Sequence, residues 1–148
     1  EMRDLMSMER PPSGFWDLKL SEGGLVDIEF AAQAVQIANA APDGPLRTNT
    51  GDALEALEAA GLIEPDAARA LTIAWTLQQD LGQVLKVALP DEADPTGEPA
   101  RFKAILANAG GERTFPALEK ALAQRRKAAH AEYLTTVRAI DRAGNAGD

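Results

Sequence analysis

The chain has 148 residues, 45% of them hydrophobic, which is enough for one domain of ordinary size with a real core. Its formal net charge of −8 argues against general affinity for nucleic acid or an anionic membrane. With no cysteine, disulfides and thiolate metal sites are excluded; no apolar run is long enough to span a bilayer and nothing resembles a secretory signal, so the cytoplasm is the expected compartment.

Glu1–Met8 reads as a helix, with Met2, Leu5 and Met6 at core-like spacing. A chain that opens inside a helix is expected to be a piece of a longer polypeptide, with another domain before it. Pro11-Pro12-Ser13-Gly14 stops that helix, and the aromatic pair Phe15-Trp16 should anchor the following loop to the core. Gly23-Gly24 supplies backbone freedom just ahead of the next element. That element, 24–40, begins with the strand-like alternation of Val26-Asp27-Ile28-Glu29-Phe30 but continues in strong helix formers, which predicts a helix. Leu25, Ile28, Ala32 and Val35 mark one apolar face, Val26, Phe30 and Ile37 a second, and Glu29, Gln33 and Gln36 a narrow polar stripe between them.

Pro42, Gly44 and Pro45 break the chain before a helix capped by Thr50 and ended by Gly61. Pro65 fits the first position of a long helix to about Leu89, with Ala67, Ala70, Ala74, Leu77, Leu81, Leu85 and Ala88 as its stripe. Asp91–Pro99 reads as an acidic surface loop. A short helix carrying Phe102, Ile105 and Leu106 follows, ended by Gly110-Gly111. The last helix runs from about Phe115 to Ile140, with Leu118, Leu122, Ala129, Tyr133 and Ile140 along one side and 141–148 frayed. The expected fold is all-α, a helical bundle of about five to six helices.

Asp27 and Glu29 would point the same way on a strand and could share a metal ion. On a helix they lie roughly 200° apart and cannot, so the helix reading predicts no metal site here. A helix packed on two faces would leave Glu29 partly buried and in need of a partner, for instance Arg47 or a helix terminus, and this structural role is favoured over direct catalysis. Asp27, near the helix start, suits the dipole, a cap, or a face turned toward a neighbouring domain. The unpaired N–H groups of a helix start can hold an anion, with Lys19 nearby as a point charge; the alternative is an ordinary surface lysine. His130 reads as a solvated or edge residue, Arg125-Arg126-Lys127 as a solvated face, and Trp75 and Tyr133 as core. No catalytic residue is expected within the chain.

The run Lys19-Leu20-Ser21-Glu22-Gly23-Gly24-Leu25-Val26-Asp27-Ile28-Glu29-Phe30 resembles the K-x-x-x-GG-[IL]-x-DIEF signature of the glutamine synthetase adenylyltransferase/adenylyl-removing enzyme family. Leu46-Arg47-Thr48-Asn49-Thr50, Ala53–Leu57 and Ala60–Ile63 are similar to that family's next helix, and Ala74–Leu89 to the helix after it; past Pro90 the likeness is loose. The resemblance implies a single helical domain, 1–148, within a longer enzyme: 1–22 a helix end and lead-in loop, 23–90 the signature helices, and 91–148 a variable C-terminal part. Asp27, Glu29, Gln33 and Arg47 are its structural signature residues, and Lys19, Gly23 and Gly24 lie on the phosphate side of an ATP site in the adjacent domain. The parent would transfer AMP from ATP to a tyrosine of glutamine synthetase with Mg²⁺, and would answer to the PII signalling protein. Its metal carboxylates belong to an upstream Gly-Ser-Asp-x-Asp motif that this chain lacks, so the chain alone is expected to be inactive and to bind no cofactor. The Asp-Ile-Glu-Phe spelling points to the C-terminal, adenylylating half. Two alternatives stay open: the helical domain of the adenylyl-removing half or of a PII uridylyltransferase, and a non-enzymatic helical interaction module.

Overall fold

The computed structural model of the protein describes residues 14–39, 49–89 and 94–146. The expected helix Glu1–Met8, its Pro11–Ser13 stop, Arg47 with Leu46 and Thr48, and the first part of the acidic loop lie outside these residues. Five α-helices form among the described residues, in agreement with the expected all-α bundle.

α1, Leu25–Ala38, starts after Gly24 in extended backbone. The loop before it satisfies the first N–H groups of the helix: Leu25 donates to the Leu18 carbonyl at 2.8 Å and Val26 to the Lys19 carbonyl at 3.1 Å. Leu25, Ile28, Ala32 and Val35 are buried as expected. The second apolar face is not packed in the same way. Phe30 meets the Tyr133 ring edge-on at 6.1 Å, Val26 is half-buried, and Ile37 is 65% exposed.

α2 spans Thr50–Ala59. Asn49, not Thr50, is its cap: the Asn49 amide oxygen accepts from the Asp52 N–H at 3.1 Å, while Thr50 is buried as the first helical residue. Asparagine is among the strongest capping residues, so Asn49→Ala should lower stability by about 1 kcal/mol, read as a lower melting temperature. Gly61 closes the helix at φ 75°. Leu62 donates to the Leu57 carbonyl at 2.9 Å and Gly61 to that of Glu58 at 3.0 Å, the paired bonds of a Schellman motif.

α3, Pro65–Ala88, opens on proline at its first position. Its buried face is Ala68, Leu71, Ala74, Leu77, Gln78 and Leu81, rotated from the expected stripe, and Ala88 is exposed. Alanines occur all around this helix, so they do not single out one face; the leucines do. The acidic loop contains a 3₁₀ turn, Pro95–Gly97, in which Asp94 accepts from the Thr96 N–H at 2.8 Å. α4, Ala100–Ala109, buries Leu106 and Ala107 but leaves the expected core residue Ile105 56% exposed. α5 runs from Phe115 to Ala146. It passes the expected end at Ile140 because the Asp141-Arg142-Ala143 run carries no helix breaker.

α5 packs on α3 and α1, α2 closes against α1 and α3, and α4 lies against α3 and α5. Two apolar clusters result. One gathers Ile28, Ala32, Leu54, Leu57, Leu71 and Ala129; the other gathers Trp16, Leu18, Leu77, Leu81, Leu118 and Leu122. On α3 the division falls between Ala74 and Leu77, and on α5 between Leu122 and Ala129. Gln78 and Arg126, both buried, lie at this seam.

Candidate functional site

The signature loop is held at that seam. Gly23 has φ 76°, a conformation that glycine adopts without the side-chain penalty. A Cβ there would strike the Arg126 backbone, 2.7 Å from its carbonyl carbon; one on Gly24 would lie 2.7 Å from the Leu18 and Ser21 carbonyl oxygens. The glycine pair therefore permits the loop to press against α5 and fold onto itself.

A chain of buried hydrogen bonds fixes the loop. Gly23 N–H donates to Asp27 Oδ2 at 2.8 Å, and Gly24 N–H to the Ser21 carbonyl at 2.8 Å. Gln78 Nε2 donates to the Gly23 carbonyl at 3.0 Å. Arg126 Nε donates to Gln78 Oε1 at 3.0 Å, and Arg126 Nη1 to the Phe15 carbonyl at 2.6 Å. The guanidinium lies 5.0 Å from the centre of the Phe15 ring, within cation–π range. Burial lowers the Arg126 pKa to about 10, with the Asp17 carboxylate opposing that shift, so the group stays cationic at neutral pH. The same Asp27 Oδ2 stands 3.4 Å from His130 Nδ1, whose ring Nε2 stands 3.7 Å from Glu22 Oε2. A shallow cavity of about 310 Å³ opens beside this network, lined by Phe15, Ser21, Glu22, Ala123, Arg126, Lys127 and His130.

Several expectations change here. Asp27, not Glu29, is the buried carboxylate: it is fully enclosed and is tied back to the loop. Glu29 is exposed, because the second face of α1 is not packed over it. Its surroundings still raise the carboxyl pKa by desolvation, against the Lys19 ammonium, which lowers it. Gln33 is half-buried and Gln36 buried. His130 is a half-buried neighbour of Asp27 rather than a solvated edge residue. Of Arg125-Arg126-Lys127, the outer two are exposed as expected, but Arg126 turns inward. Tyr133 is core, whereas Trp75 is only partly covered.

Lys19 is exposed, with its backbone held: its N–H donates to Asp17 Oδ1 at 3.2 Å and its carbonyl accepts from Val26. The N–H groups of Gly23 and Gly24 are engaged within the chain, so a phosphate reading rests on the Lys19 ammonium rather than on the glycine backbone.

Sequence reasoning missed Gln78, Arg126 and the Asp27–His130 approach. Two signals were available. Gln78 interrupts the run Ala74, Leu77, Leu81, and Arg126 falls at Leu122 plus four and Ala129 minus three, on the buried stripe of α5. Among the described residues, no group of three His, Cys, Asp or Glu side chains is arranged to hold a metal. Asp27 is buried and Glu29 exposed on the same helix. The arrangement can position a loop and present a cation. No helix among the described residues is long and apolar enough to cross a membrane.

Residues 12–91 match the family model described as GlnD PII-uridylyltransferase. The chain is 56% identical over 138 residues to a bifunctional glutamine synthetase adenylyltransferase/adenylyl-removing enzyme of Caulobacter vibrioides, an alignment covering 93% of this chain and 14% of the relative. Proteins of the same name from Rhizobium meliloti and Agrobacterium fabrum are 36% identical over 113 residues (74% of this chain, 11% of the relative) and 30% identical over 146 residues (93% and 14%). The chain thus spans only 11–14% of the length of these curated relatives. No solved structure gives a significant match.

Proposed function

The chain belongs to the family that joins PII-uridylyltransferases with bifunctional glutamine synthetase adenylyltransferase/adenylyl-removing enzymes, and we propose that it is the helical domain beside the adenylylating catalytic domain. In the reaction of the whole enzyme, a tyrosine oxygen of glutamine synthetase attacks the α-phosphorus of ATP. The bond from that phosphorus to the bridging oxygen breaks, pyrophosphate leaves, and the phenolic proton passes to solvent or a base. Mg²⁺ would be held by carboxylates of the nucleotidyltransferase domain of the whole enzyme. This chain closes one wall of the cleft, and alone it transfers nothing. PII and glutamine synthetase are the partners of the whole enzyme.

One observation carries the reading for this chain: the Lys19 ammonium is exposed on a loop whose backbone is bonded to the start of α1. A cation carried on a loop with an ordered backbone can reach a polyphosphate in an adjacent domain and stabilise its charge. In the full-length enzyme, Lys19→Ala should slow AMP transfer with little change in melting temperature, since an exposed lysine contributes little to the core. A fall in kcat would mark stabilisation of developing charge, and a rise in KM for ATP would mark ground-state binding. Normal kcat with normal KM would return Lys19 to the ordinary surface.

A second reading, the helical domain of a PII-uridylyltransferase, is favoured by the description of the matching family model. The 56%-identical relative supports the first. Assaying the full-length protein with ATP and glutamine synthetase, then with UTP and PII, separates the two.

A further inference from the structure

We propose that Arg126 is a positioning residue for nucleotidyl transfer: through Phe15 at one end and Gln78 and Gly23 at the other, it clamps the loop that carries Lys19. The inference rests on the Lys19 reading above.

The geometry is that of a two-point clamp. One guanidinium donates directly to the Phe15 carbonyl and, through the Gln78 side chain, holds the Gly23 carbonyl. Lys19 lies four residues after Phe15 and four before Gly23, midway along the clamped segment. The ties come from α5 and α3, 111 and 55 residues distant in sequence, so they set the loop relative to the whole bundle rather than to its own helix.

Stability alone does not account for the arrangement. Arg126 is 6% exposed, and its Nη2 is buried with no hydrogen-bond partner among the described residues. A buried cation with an unsatisfied nitrogen is costly, and apolar side chains of similar volume often fill such a seam at equal or better stability. Apolar packing is also non-directional, whereas the arginine and glutamine bond two particular carbonyls and fix one loop register. Gly23 contributes by letting the loop approach the Arg126 backbone where any side chain would collide.

The test is a double-mutant cycle in the full-length enzyme: Lys19→Ala, Arg126→Met and the pair, read as kcat/KM for AMP transfer beside melting curves. A misplacement of about 1 Å remote from the chemistry costs roughly 100-fold in rate, which is the loss expected for Arg126→Met at temperatures where the protein is folded. If Arg126 acts through Lys19, the double variant is no slower than the slower single one, because each change removes the same contribution. Arg126→Lys, which keeps the charge and can make one of the two ties, should recover part of the rate. It replaces Arg126→Met in the cycle if the methionine variant does not fold. Additive losses would overturn the positioning role while leaving the Lys19 reading intact. A normal Lys19→Ala enzyme would overturn the Lys19 reading, and with it this inference, a result distinct from additivity.

Discussion

A Gly23→Ala substitution should be strongly destabilising for a change of one methyl group. Two penalties combine at one position. At φ 76° an L-residue carries the left-handed penalty of about 1–2 kcal/mol. The new Cβ also meets backbone, 2.7 Å from the Arg126 carbonyl carbon and 2.9 Å from its Cα, and α5 cannot yield as the tip of a flexible side chain would. Overpacking of this kind costs a further 1–3 kcal/mol or so. The expected total is about 2–5 kcal/mol, and the melting temperature should fall by about 2–4 °C for each of these at this chain length. Gly61 provides the control. It has nearly the same φ, 75°, yet nothing stands within 4 Å of a Cβ built on it, so Gly61→Ala should show the conformational penalty alone. Thermal or urea unfolding of both variants reads the difference. Equal losses would mean that the loop does not press on α5 as described.

The contrast between those glycines also shows what could be learned from sequence. Gly61 and the Gly110-Gly111 pair were legible as helix stops because the signal is local: a glycine just past a periodic run. Helix existence and type were legible for the same reason, from apolar spacing and from Pro65. The site was less so. Gly23-Gly24 announced freedom of backbone, but what that freedom serves, close approach to a helix about a hundred residues later, is a tertiary fact. Arg126 was hidden between Arg125 and Lys127, which are solvated, and only its phase on the α5 stripe distinguished it. On α3 the abundance of alanine blurred the phase, so Gln78 passed unnoticed among leucines. Glu29 was misplaced by one assumption, that both apolar faces of α1 are packed; with Ile37 left largely in solvent, the polar stripe beside it opens outward.

That misplacement sets the second large effect. The Asp27 carboxylate, fully buried, accepts the Gly23 N–H at 2.8 Å and stands 3.4 Å from His130 Nδ1. Asp27→Ala removes the acceptor, leaves a buried N–H unsatisfied, and takes from His130 its buried neighbour. The expected loss is about 2–4 kcal/mol, the range for orphaning one partner of a buried polar or charged contact. Asp27→Asn keeps the volume and an oxygen that can still accept from Gly23, so it should recover much of that loss; what remains measures the charge. Glu29→Ala, at an exposed position two residues along the same helix, should stay within about 0.5 kcal/mol of the parent protein. Unfolding curves for the three variants decide the matter. If Glu29→Ala proves as costly as Asp27→Ala, then Glu29 carries the structural load that its place in the signature first suggested. If only Asp27→Ala is costly, the two carboxylates divide as their burial implies: Asp27 holds the loop in place, and Glu29 remains at the surface beside Lys19, available to whatever packs there.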